Sequence, residues 1–202
     1  ENLSTVKVGK KYVVIFHAKP TATEDQIFFH LSTNSGSFVN HGAAKFTLSG
    51  DGTFSNTTGS GHSITKGDNG WYRCQFVTQE LTTTVQARLQ IRLQRNGTFT
   101  ASNPPEALYI WGLQLEEADS ASTYVPSIDT FTSRASNATY VDSAGLVKTA
   151  YKNEVPYSED FTNWGKMTQD STVSNVAIAP DGTQTADKLI VGNYNHWAHA
   201  WQ

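Results

Sequence analysis

Cysteine is almost missing from this 202-residue chain: Cys74 is the single one, which excludes an intrachain disulfide and any metal site built from several thiolates. Methionine also occurs once, and charged residues make up only 16% of the whole. Lys and Arg together number 15 against 18 Asp and Glu, a net charge of -3, so the basic stripe that nucleic-acid phosphates require is lacking. No run approaches the ~20 apolar residues of a membrane span, and the first residues lack the basic-then-apolar pattern of a secretory leader. A sustained helical period of apolar residues is absent too, which argues against a helical bundle.

Short period-2 patterns fill the chain instead. The clearest runs from Val85 to Gln94: Val85, Ala87, Leu89, Ile91 and Leu93 alternate with Gln86, Arg88, Gln90, Arg92 and Gln94. Successive strand side chains point to opposite faces, so this predicts one buried aliphatic row and one Gln/Arg row facing water. Burying the aliphatic row is worth about 5–10 kcal/mol gross. Further strands are expected at Tyr12–Ala18, Gln26–Ser32, Ala44–Leu48, Trp71–Thr78, Ala107–Glu116, Ala138–Asp142, Val173–Ile178, Asp187–Val191 and Tyr194–Gln202. Asp51-Gly52, Asp68-Asn69-Gly70, Asn96-Gly97, Asn103-Pro104-Pro105 and Pro180-Asp181-Gly182 supply the turns between them. Strands of this length at this spacing predict an all-β antiparallel sandwich. Composition divides the chain into residues 1–125, a Ser/Thr/Ala-rich stretch 126–152 read as a linker or small hairpin arm, and residues 153–202, where aromatic and apolar residues return. A chain poor in Lys, Glu, Cys and Met and rich in Thr, Asn and Gly fits an extracellular or virion-surface location.

Three stretches carry a resemblance. Gly70-Trp71-Tyr72-Arg73, followed by Tyr109-Ile110-Trp111-Gly112-Leu113-Gln114-Leu115-Glu116-Glu117 and Tyr124-Val125-Pro126, resembles the closing half of a jelly-roll module found in phage tail and fibre proteins and in bacterial surface proteins, itself similar to carbohydrate-binding modules. Ser133 to Val147 resembles the short hairpin linker of phage structural proteins. Pro156-Tyr157-Ser158-Glu159-Asp160-Phe161, with Asn163-Trp164 and Ala179 to Leu189, resembles the opening half of the same module. The halves stand in reversed order, so the chain reads as a permuted protomer or as one period of a tandem array. The resemblance implies a jelly-roll fold, a non-enzymatic structural role with identical copies as partners through the terminal strands Glu1–Gly9 and Tyr194–Gln202, or alternatively the binding of glycans. Jelly rolls of this kind often hold a structural calcium, and Asp181, Asp187, Glu116 and Glu117 stand near matching positions. An ordinary turn at Asp181-Gly182 and a solvated strand end at Glu116-Glu117 are the plainer account of the same acids.

Catalytic chemistry finds little footing. His196 and His199 would lie on opposite faces of a strand, His17 and His30 fall in strands as core or edge residues, and His41 and His62 are expected in exposed loops. No Ser or Cys sits in a nucleophile elbow, and no pair of acids is placed to face one another at the roughly 5–10 Å that glycoside hydrolysis uses. Aromatic residues are the better lead. On the last strand Trp197, His199 and Trp201 share one face, which would stack on sugar rings if exposed and anchor a core or interface if buried. The row Arg88, Gln90 and Arg92 is a second candidate, suited to hydroxyl groups, whose plain alternative is a solvated sheet face. Trp71, Tyr72 and Trp111 are expected in the core.

Overall fold

The computed structural model describes residues 3, 6–34, 36–93, 107–127, 139–141, 146–149, 153–166, 170–192 and 200–201. Fourteen strands occur among them: β1 Val13–Lys19, β2 Gln26–Asn34, β3 Phe38–Thr47, β4 Thr53–Thr58, β5 Ser60–Lys66, β6 Tyr72–Val77, β7 Arg88–Leu93, β8 Ala107–Glu116, β9 Thr139–Val141, β10 Val147–Thr149, β11 Gly165–Lys166, β12 Ser171–Ala177, β13 Ala186–Ile190 and β14 Ala200–Trp201. Every pairing is antiparallel. One six-stranded sheet, here sheet A, has the order β12-β13-β8-β1-β6-β5; the other, sheet B, has the order β11-β14-β7-β2-β3-β4; β9 and β10 form a separate hairpin. The protein is therefore a β-sandwich.

Alternation explains how the sheets meet. Val14, Phe16 and Ala18 of β1, Cys74 and Phe76 of β6, and Leu113 and Leu115 of β8 turn inward and are buried against Ile27, Phe29 and Leu31 of β2 and Leu89, Ile91 and Leu93 of β7. Phe16 ties the layers, stacking on Phe29 at 4.2 Å between centroids and meeting Phe46 edge-on at 5.5 Å. Cys74, Trp71, Tyr72 and Trp111 are all buried, as their place in the pattern predicts.

Residues within 153–166 and 170–190 share this core. Val155, Phe161, Trp164 and Leu189 belong to the same buried cluster as β1, β2 and β7. In sheet A, β13 pairs with the first half of β8; in sheet B, β14 pairs with β7, so strands from the end of the chain extend both sheets on the same side. The buried indoles of Trp71 and Trp111 fasten the β12–β13 hairpin by donating to Ile178 O (3.0 Å) and Thr185 Oγ1 (2.9 Å). At Gly112, φ is +62°, a left-handed conformation that glycine adopts without steric cost. The register of β8 on β1 shifts there, and beyond it β8 changes neighbour: Leu113 N donates to Ser158 O and Glu154 N to Leu115 O.

The opposite side closes differently from the sequence expectation. β4, the edge of sheet B, and β5, the edge of sheet A, are rich in Thr and Ser and show no apolar alternation, so the sequence reading does not include them. Their place is fixed by a ladder of rings, Phe46–Phe54–His62–Phe76 with centroids 6.4, 5.8 and 6.1 Å apart, which steps from sheet B to sheet A across them. His62 therefore lies in β5, and His41 lies buried in β3 with Nε2 2.8 Å from Thr33 Oγ1; neither is in an exposed loop. β7 also starts later than its pattern suggests. Gln86 has φ +48° and Val85 is 52% exposed, so the turn takes these two residues out of the strand.

Candidate functional site

The outer face of sheet B brings one predicted row together with residues the sequence reading passed over. Because Ile27, Phe29 and Leu31 of β2 point into the core, Phe28, His30 and Ser32 point away from it. Register then sets their neighbours: Phe28 lies between Lys45 and Arg92, His30 between Ala43 and Gln90, and Ser32 between Asn40 and Arg88. At the paired positions of this face no carboxylate stands.

The side chains form a continuous strip. His30 is 5.4 Å from the Phe28 ring and 5.8 Å from the Phe38 ring, centroid to centroid. Phe38 is 60% exposed, which sets one end of the strip in solvent. Arg92 lies with its guanidinium carbon 5.9 Å from the Phe28 centroid and donates through Nη2 to Gln90 Oε1 at 3.3 Å. Burial pulls the Arg92 pKa down to about 10, which leaves it charged at neutral pH. Gln90 is itself 9% exposed, so this row is not the freely solvated surface its pattern suggests. The Nε of Arg88 is buried with no hydrogen-bond partner among the described residues. Flat aromatic and amide or guanidinium groups on a sheet suit a ligand rich in hydroxyls.

Trp201 enters beside this face, since its Cα partner in β7 is Gln90; only its backbone is described. Trp197 and His199 lie outside the described residues, as does His196.

The four acids considered for calcium are spread over separate places. Asp181 sits exposed in the β12–β13 turn and accepts from Thr183 N (2.9 Å) and Thr183 Oγ1 (2.7 Å). Asp187 is fully buried in β13, where Oδ2 accepts from Phe161 N (2.8 Å) and Oδ1 from Asn175 N (3.0 Å). Burial pushes its pKa up, and the two N–H donors oppose that. Glu117 accepts from Lys10 (2.7 Å) and Lys7 (3.3 Å), and the hydrogen bond from Lys10 holds its carboxyl low. Glu116 is no solvated strand end. It is 2% exposed beneath the loop after β8, with Oε1 accepting from Ser122 Oγ (2.6 Å) and from Gln114 Nε2, while Oε2 is buried with no partner. Burial drives its pKa up. Among the described residues no group of three or more His, Cys, Asp and Glu comes together.

No protein-family model and no curated protein matches this chain.

Cys74 is a buried thiol whose pKa burial pushes well up, which suits packing and not nucleophilic attack. Among the described residues no helix is long and apolar enough to cross a membrane. Sequence reasoning missed Phe28, His30 and Phe38. The signal for the first two was present, because in Gln26–Ser32 they occupy the alternate positions to Ile27, Phe29 and Leu31. Phe38 carries no such mark, since it reaches the strip across the β2–β3 connection.

Proposed function

We propose that this chain is a non-enzymatic, carbohydrate-binding jelly-roll module of an extracellular or virion-surface protein, and that it takes its glycan along the outer face of sheet B. One observation carries the reading: the exposed Phe38 and the half-buried Phe28 are joined through the ring of His30, itself 1% exposed, beside Arg88, Gln90 and Arg92. Aromatic faces pack on the C–H faces of sugar rings, and the planar amide and guanidinium groups donate to the hydroxyls at the ring edges. Hydrolysis would need a facing pair of carboxylates, and the paired positions of this face offer none.

The test is binding of the purified chain to a glycan panel, followed by Phe38→Ala and Arg88→Ala. Phe38 is exposed enough that its loss leaves the fold intact, and each variant is expected to weaken binding about tenfold, the equivalent of ~1.4 kcal/mol. A folded chain that binds no glycan, or variants that bind like the parent, would overturn the reading.

A second reading, a fibre module assembling by strand pairing between successive copies, is favoured by one edge of sheet A. β12 pairs with β13 alone, carries no charge from Ser171 to Ala179, and leaves Val173 and Val176 exposed, so it lacks the charged residues that usually protect an edge. Light scattering across a concentration series separates the two, since assembly requires a mass that grows with concentration.

A further inference from the structure

Lys166 makes an unusual set of contacts for a surface lysine. It follows the short 3-10 turn Phe161–Asn163, and its side chain folds back over that turn. The ammonium donates to Thr162 O at 2.8 Å, to Trp164 O at 2.8 Å and to Phe161 O at 3.2 Å. A lysine ammonium has three N–H donors, and here all three are spent on main-chain carbonyls of a single turn. Burial pulls the Lys166 pKa below the ordinary lysine value, and the carboxylates of Asp160 and Asp187 offset part of that cost. Asp160 also braces the turn, accepting from Thr162 N at 3.0 Å and from Asn163 Nδ2 at 2.7 Å, and Asp187 accepts from Phe161 N.

Three convergent carbonyl oxygens with carboxylates behind them are the donors that bind a bare cation. Their spacing decides which one. Calcium draws 6–8 oxygens to about 2.3–2.6 Å and magnesium takes an octahedron at about 2.0–2.1 Å. Contacts of 2.8–3.2 Å are too long for either and are the lengths at which the Lys166 ammonium meets these carbonyls; a potassium ion accepts similar lengths, with water completing its shell. We propose that the turn over residues 161–164 is a cage for a monovalent cation of ammonium size, and that the protein fills it with the ammonium of its own Lys166. The cage stands where the turn meets β12 and β13, so its occupant helps lock residues 161–190 onto the sandwich without an external metal.

The experiment vacates the cage. Lys166→Met keeps the aliphatic stem and removes the charge; Lys166→Ala removes both. Thermal midpoints of both variants and the parent are measured in chloride salts of potassium, sodium, calcium and tetramethylammonium at equal ionic strength, and for Lys166→Ala also in methylammonium chloride. The parent is expected to melt at the same temperature in the potassium, sodium and tetramethylammonium salts. Lys166→Met is expected to melt several degrees lower in tetramethylammonium and to recover in potassium with a saturating dose response, and methylammonium is expected to rescue Lys166→Ala in the same manner. Variants that respond alike to every salt, that recover in calcium but not in potassium, or that fail to fold in any of the salts would each overturn the proposal. So would a potassium preference of equal size in the parent.

Discussion

Asn153 is the residue whose loss the structure prices most clearly. It is 2% exposed and uses its whole amide: Oδ1 accepts from Leu115 N and from Val155 N, both at 3.1 Å, and Nδ2 donates to Leu113 O at 2.8 Å and to Val125 O at 3.1 Å. Four main-chain groups from three segments thus meet on one side chain, at the point where the chain returns to the sandwich. Replacing it by Ala strips all four of their partner. At a net ~1 kcal/mol for each bond the cost is about 4 kcal/mol, somewhat less if water enters the gap. Against a total of roughly 5–15 kcal/mol for a domain, that leaves the protein marginal. Asn153→Asp is the sharper probe. It keeps the acceptor but sets a carboxylate oxygen against two carbonyl oxygens, so it is expected to cost more than Ala at pH 7 and less than Ala near pH 4, where the acid protonates and can donate again. Urea unfolding followed by tryptophan fluorescence at both pH values measures this, with an unchanged m-value as the control on two-state behaviour. An Ala variant within about 1 kcal/mol of the parent, or an Asp variant that tracks Ala at both pH values, would refute the reasoning.

Two predictions concern protonation on the outer face of sheet A. His17, with its ring 5.3 Å from Trp111 and its Nδ1 buried and unpartnered, has its pKa lowered to about 4, first by burial and then by Arg73 opposite it in the sheet. The unfolded chain therefore binds a proton that the native one refuses, so stability present above about pH 6.5 drains away as the pH falls toward 4, by about 3 kcal/mol. His17→Gln is expected to flatten that part of a stability-against-pH curve, and a variant curve parallel to the parent's counts against it. Glu116 behaves oppositely, because burial raises its pKa and the native state holds its proton above the ordinary carboxylate range. Its ionisation costs stability as the pH rises through that window, so Glu116→Gln is expected to raise the melting temperature at pH 7 and to lose that advantage at pH 4. A Gln variant that melts lower than the parent at both values would show that the carboxylate stabilises the site.

How much of this was legible in the sequence depended on whether a residue's role was written in a period. β6 and the inward row Leu89, Ile91 and Leu93 show apolar alternation, and β1, β2 and β8 are short apolar runs buried on both faces; their strand nature follows from these patterns. β4 and β5 were opaque because they bury little, and their place is fixed by four rings brought together from separate strands. Asn153 and Lys166 were opaque for a different reason. A buried amide or a caged ammonium is defined by backbone groups that converge from elsewhere, and no local pattern announces that convergence. The binding face was half legible. Arg88, Gln90 and Arg92 stood out as a row, but the rings that give the row its chemistry sit on β2 and beyond, and only the register of β2 on β7 joins them.

Whether the sheets close within one chain or by exchange between copies bears on which function the fold can serve. Closure of both sheets within one chain and exchange of strands between copies use the same contacts, so buried area does not choose between them. Connectivity does. Ser127 N donates to Ser158 Oγ at 2.8 Å and Ser158 N to Ser127 O at 3.0 Å, so residues 127 and 158, on either side of the β9–β10 hairpin in the sequence, meet at one place. A connection whose two ends touch holds the strands beyond it at an effective concentration on the order of millimolar. Exchange between copies competes only when the chain itself approaches that concentration, or when something blocks the return in cis. At lower concentrations the same strands close the module on itself, and the proposed glycan binding on the ringed face of sheet B is then the reading to test first.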